Sequence, residues 1–244
     1  ATVAADLASL RAAVAGTATL TPALANSLDA LADGRTPPAW TKASWEAPSL
    51  AAWADGAAAR SAQLGRWLTG GRPRSVWLPG LANPPGFFTA LKQEAARAKA
   101  SEGWALDDVA LSLTVAHPPL AEGAPLPEGP PTAGGLFISG LWLDGAAWDG
   151  KAGCLADPAD SRKGGGAPVP LPLVHVSAVQ ASGGGSGGGG GAAGPSPPRP
   201  GVYGAPLYRA RRREGTALAE VSLKTECDPV AWTLRGVAVV CNPV

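Results

Sequence analysis

Near Leu106 the hydrophobic repeat switches from a period of about 3.6 residues to a period of 2. The first repeat lays an apolar stripe along a helix, and the second places alternate side chains on opposite faces of a strand. Helices are therefore expected first and strands after them, which is the order of an α+β protein. In the first helical segment Leu7, Leu10 and Val14 recur at three and four residues, and Gly16 can close it. Thr21 and Pro22 stand as N-cap and first helical residue of a second segment, striped by Leu24, Leu28 and Leu31 and stopped by Gly34. A third run from Pro48 to Gly70-Gly71 carries Leu50, Trp53, Ala57, Leu64, Trp67 and Leu68 on one face. Gly56 and Gly65 weaken it by about 1 kcal/mol each relative to alanine, so tertiary packing has to hold it. After the apolar stretch Val76-Trp77-Leu78, Asn83-Pro84-Pro85 opens a fourth helix. Its inward residues are expected to be Phe87, Phe88, Leu91, Ala95 and Ala98, with Lys92, Arg97 and Lys99 outward.

Beyond Leu106, Val109, Leu111, Leu113 and Val115 alternate as a half-buried strand requires. Five further strand-like runs follow: Leu136 to Leu143, Leu171 to Val179, Tyr203 to Arg209, Leu218 to Thr225 and Val230 to Cys241. No helical period separates the six, so the sheet is expected to be antiparallel, and six short strands can close into a small barrel that leaves no edge. In the last run, Trp232 and Leu234 are expected to point inward, with a bulge at Gly236 resetting the face for Val237 and Val239. The expected organisation is a helical part over residues 1–104 and a six-stranded antiparallel β-barrel over 105–244. Gly/Pro-rich flexible loops are expected at 118–135, 157–170 and 181–201. With 33 glycines and 25 prolines in 244 residues, some of the length has to be loop.

Charge and cysteine usage narrow the function classes. Twenty basic against 19 acidic residues give a net charge of +1, which exerts no global pull toward nucleic acid or an anionic membrane. No run approaches 18 apolar residues, and no basic n-region precedes an apolar core at the start, so neither a membrane-spanning helix nor a secretory signal is expected. Cys154, Cys227 and Cys241 are odd in number and widely spaced, neither a disulfide framework nor a zinc site, which fits a reducing compartment. Methionine is absent from the sequence, so the expectation is a segment of a longer protein, with any activity in the missing part.

The motif search offers little catalytic chemistry. Gly184-Gly185-Ser186-Gly187-Gly188 matches GxSxG formally, and the overlapping glycine run matches GxGxxG. Neither has the strand-turn-helix or βαβ context that gives those motifs their chemistry. No GxxxxGK[ST] phosphate loop occurs. His117 and His175 read as structural histidines, and no His/Cys/Asp/Glu group has metal-ligand spacing. No residue is put forward as catalytic, cofactor-binding or metal-ligating. Arg209, Arg211, Arg212 and Arg213 form the one basic cluster, read first as a solvated hairpin turn and otherwise as a phosphate-binding or nuclear-targeting patch. Nine tryptophans against three phenylalanines are unusual; core packing is the default reading, a stacking platform the other. The residues alone thus leave a non-catalytic module. They also leave a free-standing β-barrel that binds sugar or nucleic acid through its tryptophans and the Arg209–Arg213 cluster, and, third, an enzyme in its own right.

Several stretches are more specific than their composition. Gly71-Arg72-Pro73-Arg74-Ser75-Val76-Trp77-Leu78-Pro79-Gly80 runs into Asn83-Pro84-Pro85-Gly86-Phe87-Phe88-Thr89-Ala90-Leu91-Lys92-Gln93-Glu94 and ends at Arg97. Gly135 to Asp149 reads Gly-Leu-Phe-Ile-Ser-Gly-Leu-Trp-Leu-Asp-Gly-Ala-Ala-Trp-Asp, and Trp232 to Cys241 reads Trp-Thr-Leu-Arg-Gly-Val-Ala-Val-Val-Cys. With Leu31 to Trp40 upstream, these blocks resemble the C-terminal domains of dynein heavy chains, in that family's order and over residues 24–244. Gly103 to Val109 is similar to axonemal outer-arm chains of the gamma type. Pro79, Leu81, the Gly183 to Gly191 tract and Pro243-Val244 depart from the pattern. The resemblance implies helices leading into a small β-barrel that lies on the AAA+ ring of an ATP-driven, minus-end-directed microtubule motor of cilia and flagella, in the cytoplasmic cytoskeleton. It implies partners in that ring, in other dynein heavy, intermediate and light chains, and in microtubules only through other parts of the motor. Nucleic acid and membrane are not among them. ATP and magnesium belong, by the same resemblance, to the ring and not to this segment, which is expected not to be an enzyme itself.

Overall fold

The computed structural model describes residues 2–116, 135–158, 166–180 and 200–242. His117 and most of the three expected loops lie outside the described residues. Residues 1–62 and 63–243 form two compact units, the division falling inside a long helix.

The first unit holds α1 (Thr2–Val14), α2 (Pro22–Ala32), α3 (Pro38–Ala43) and the start of α4 (Leu50–Gly70). The helix signals act as expected: Thr21 Oγ1 accepts the Leu24 N–H at 3.3 Å, and Gly16 and Gly34 close α1 and α2 with left-handed φ. The expected stripes need correction. Of Leu7, Leu10 and Val14 only Leu10 is buried; α2 buries Ser27 and Ala30, while its leucines are half-buried. On α4, Leu64 and Leu68 face solvent. The sheltered stripe runs instead through Trp53, Gly56, Arg60, Gln63 and Trp67, equally helical in spacing but carrying the groups that find partners.

The second unit adds α5 (Pro84–Ala98), α6 (Pro229–Leu234) and eleven strands. These are β1 (Ser75–Trp77), β2 (Val109–Val115), β3 (Gly135–Ser139), β4 (Trp142–Asp144), β5 (Ala147–Asp149), β6 (Cys154–Ala156), β7 (Val169–Pro170), β8 (Val174–Gln180), β9 (Val202–Tyr208), β10 (Ala219–Lys224) and β11 (Ala238–Val240). Asn83 Oδ1 accepts the Gly86 N–H at 3.1 Å to cap α5. That helix buries Phe88, Leu91 and Ala95 and packs on β2 and β8, while Ala98 is exposed.

The α+β class holds, but the closed six-stranded antiparallel barrel does not. Nine strands form one open sheet in the order β1-β3-β8-β2-β10-β9-β11-β4-β7, and β5-β6 is a separate hairpin. The pairs β1/β3, β2/β10 and β9/β11 are parallel and the other sheet pairs antiparallel. Alternation fixes which face a side chain takes, as in buried Tyr203, Ala205 and Leu207 of β9 against Val221 and Leu223 of β10. It says nothing about which strand lies alongside.

Three local features account for the difference. The run Leu136 to Leu143 is two strands: Gly140, at φ +78°, turns the backbone from β3, beside β1 and β8, to β4, beside β11 and β7. A side chain there would run into the Trp77 ring. The segment 157–170 ends as β7, not as loop, and β1 arises within the part read as helical. The run Val230 to Cys241 opens as a helix: Asp228 Oδ1 caps the Val230 N–H at 3.0 Å and Pro229 takes the first position. Gly236, at φ +67°, ends α6 with Gly236 N–H to Thr233 O and Val237 N–H to Trp232 O, the paired bonds of a Schellman cap. Trp232 is buried as expected, but from a helix, and Leu234 is 83% exposed.

Candidate functional site

β9 and β10 pair antiparallel, so the arginine-rich loop after Tyr208 is a hairpin connection, as the residues suggest. It is only partly solvated. Arg209 and Arg212 are exposed, whereas Arg211 and Arg213 reach Asp144 at the end of β4. Arg213 donates from Nη2 to Asp144 Oδ2 at 2.8 Å and from Nη1 to the Gly236 carbonyl at 2.6 Å. Arg211 lies 3.3 Å from Asp144 Oδ1 and donates to the Gly166 carbonyl at 3.1 Å. Asp144 is buried, and two guanidinium partners compensate a carboxylate taken out of water. Arg213 holds its position at φ +53°, the one non-glycine left-handed residue among those described. The node ties the hairpin, β4 and the end of α6 together.

None of the nine tryptophans is exposed: Trp40, Trp53 and Trp232 are buried and the other six half-buried. In the first unit Trp45 stacks on Trp53 at 5.4 Å, and Trp53 meets Trp40 at 5.3 Å. The Arg60 guanidinium sits 3.6 Å from the centroid of Trp45. Trp40 and Trp53 donate their indole N–H groups to Asp6 and Ser44. In the second unit Gln63 of α4, buried, accepts the Trp77 N–H at 2.7 Å and donates to the Trp77 carbonyl at 3.1 Å. It thereby mimics a neighbouring strand along β1, an edge of the sheet. A platform for sugar or bases needs exposed rings, and none of these rings is exposed.

Three further titratable groups, His175, Cys241 and Tyr203, are buried or half-buried. His175 packs 4.9 Å from the Phe137 ring, and burial, then Arg74, lowers its pKa. Burial pushes the Cys241 thiol up to about 12. Tyr203 donates its hydroxyl to the Val237 carbonyl at 2.6 Å, and burial raises its pKa. Among the described residues no group of three His, Cys, Asp or Glu side chains is placed to hold a metal ion, and no helix is long and apolar enough to cross a membrane. A mainly apolar cleft of about 160 Å³ opens between the ends of β2, β9 and β10 and the β5-β6 hairpin. Trp148 lines it, and among the described residues its buried Nε1 has no hydrogen-bond partner. Asp144, Gln63 and Trp148 were not singled out from the sequence. Asp144 and Trp148 do lie within the Gly135–Asp149 block, and a glutamine on a helical stripe is the signal that marks Gln63.

The Asp144 node and Gln63 thus join one element of the second unit to another. Residues 1–241 match the family of C-terminal domains of dynein heavy chains. The sequence is 39% identical over 238 residues to the dynein gamma chain, flagellar outer arm, of Chlamydomonas reinhardtii, covering 97% of this chain and 5% of that one. It is 34% identical over 238 residues to dynein axonemal heavy chain 8 of Homo sapiens and 33% over 237 residues to dynein axonemal heavy chain 5 of Mus musculus, each covering 97% of this chain and 5% of the relative. The protein belongs to the family of dynein C-terminal domains, and it spans about 5% of the length of these relatives.

Proposed function

We propose that this protein serves as the C-terminal structural and regulatory domain of an axonemal dynein heavy chain, packed on the AAA+ ring of an ATP-driven, minus-end-directed microtubule motor of cilia and flagella. The observation that carries the reading is the match to the outer-arm gamma chain over 97% of the sequence. Residues 1–104 form the part leading from the last ring module, and residues 105–244 the part it carries. ATP and magnesium are bound and used in the ring, and this segment contributes packing, not turnover. Its direct partner is the ring of the same heavy chain. Other heavy, intermediate and light chains lie further out in the arm, and microtubules are engaged through other parts of the motor. The place of action is the ciliary or flagellar axoneme within the cytoplasmic cytoskeleton.

Leu64 and Leu68, one helical turn apart on α4 and 47% and 88% exposed, support the reading, because a docked domain covers such side chains. Co-expression of this domain with a separately tagged ring region of an axonemal heavy chain tests it. The two are expected to co-purify, Leu68→Asp to reduce recovery without altering the circular dichroism spectrum, and the domain alone to hydrolyse no ATP above a heat-inactivated control. Failure of the wild-type pair to associate refutes the docking.

A further inference from the structure

The arginine-rich connection between β9 and β10 carries a hydroxyl that the packing above does not use. Arg211-Arg212-Arg213-Glu214-Gly215-Thr216 is the one place in the sequence where arginines stand five and three residues before a serine or threonine. The Leu218 N–H closes the hairpin on the Leu207 carbonyl at 2.7 Å, so Thr216 lies on irregular backbone outside both strands. Glu214, Gly215 and Thr216 are exposed, and among the described residues none of the three takes part in a hydrogen bond. Gly215, at φ +81°, has open space where a side chain would stand. The other two hydroxyls with an arginine three residues before them are built into regular structure. Thr69 belongs to α4 and donates to the Gly65 carbonyl at 3.1 Å, and Ser75 belongs to β1. A protein kinase that reads arginines does so with carboxylates in its substrate groove, and it needs the acceptor hydroxyl on backbone that can extend. Thr216 alone of the three meets both demands.

We propose that Thr216 is a phosphorylation site for an arginine-directed protein kinase, and that the Asp144 node controls access to it. In the transfer, Thr216 Oγ1 bonds to the γ-phosphorus of ATP and the bond from that phosphorus to the bridging oxygen breaks. ADP departs, and the hydroxyl proton passes to the kinase's catalytic base. Arg211 and Arg213 cannot hold Asp144 and the kinase carboxylates together, so the loop has to leave the node before it is read. Afterwards a phosphate of charge about −1.5 to −2, so close in sequence to Arg213, competes with Asp144 for both guanidinium groups and keeps the node open.

The full 244-residue protein, incubated with ATP, magnesium and a recombinant kinase that requires arginine at both upstream positions, tests the assignment, with phosphate mapped by mass spectrometry. The folded protein is expected to take one phosphate, on Thr216, and Thr216→Val, an exposed change, to take none there. Asp144→Asn, which loosens the node, should raise kcat/KM about five- to thirtyfold. Leu91→Ala, a destabilising change on the buried face of α5, should leave it within about twofold, because local opening and not global unfolding exposes the loop. Phosphorylation should lower the urea midpoint of the parent and shift that of Asp144→Asn less than about half as far, since phosphate and substitution act on one node. Phosphate on Thr216 only after denaturation, an unchanged rate in Asp144→Asn, or an equal urea shift in the two proteins each overturns the proposal.

Discussion

Replacing Trp232 by alanine tests whether α6 is held by burial of its indole. The residue is 1% exposed, and its Nε1 donates to Thr225 Oγ1 at 2.7 Å. An indole buries roughly 150–250 Å², which at about 25 cal/mol per Å² corresponds to about 4–6 kcal/mol. That is an upper bound, since an unfolded polypeptide already shelters part of this surface, so Trp232→Ala should cost about 3–5 kcal/mol. The hydrogen bond is the smaller part. Thr225 Oγ1 keeps the Cys227 N–H at 3.1 Å and the Cys227 carbonyl at 3.3 Å when the indole goes. Trp232→Phe retains most of the apolar volume and should therefore cost only about 1–2 kcal/mol. Urea denaturation followed by far-ultraviolet circular dichroism measures both, with an unchanged m-value as the sign that the denatured state is unaltered. If Trp232→Ala stays within about 0.5 kcal/mol of the parent, as surface changes do, burial is not what holds α6. If the phenylalanine variant is as costly as the alanine one, the hydrogen bond outweighs the packing.

Asp144→Asn should destabilise by about 1–2 kcal/mol, less than a fully buried pair because Arg211 and Arg213 are each about a third exposed and recover water; trypsin should also cut the Arg209–Arg213 loop faster than in the parent. Gly140→Ala should cost about 2 kcal/mol or more, from a left-handed residue and from a methyl group placed against the Trp77 ring, read as a lowered melting temperature. Native alkylation with iodoacetamide at pH 8, followed by mass spectrometry, should modify exposed Cys227 well before Cys241, whose thiol is buried. Because burial raises the Cys241 pKa to about 12, its contribution to stability is intact below about pH 9 and is lost as pH rises through 12; Cys241→Ala should flatten that alkaline decline.

The helix boundaries were legible because capping is local chemistry: Thr21-Pro22 and Asn83-Pro84 open helices within a few residues of where they stand. Asp228-Pro229, closed by Gly236, carries the same code, but the alternation of Val237 and Val239 extends the strand pattern back across it. β1, β5 and β6, three residues each, are too short for any period to register. The faces of β2, β9 and β10 were legible and their partners were not, since pairing depends on residues far away. The Asp144 node shows the same limit: its Arg213 lies 69 residues on, and nothing local announces the encounter. That the Trp148 donor lacks an acceptor among the described residues is a property of the folded surroundings alone.

Among the described residues β11 is the last strand in sequence, and it lies between β9 and β4, fully buried. A ribosome delivers a polypeptide from its N-terminus at about 5–20 residues per second, so the roughly one hundred residues from Trp142 to Ala238 take on the order of 5–20 s. Until β11 follows, β4 lacks the neighbour that joins it to the rest of the main sheet, and β7 has only β4 to pair with. Nascent copies of this domain therefore spend seconds with an open strand edge, a template for pairing with another polypeptide. A stop codon placed just before Ala238 would remove three residues of the sheet and maroon two whole strands with them.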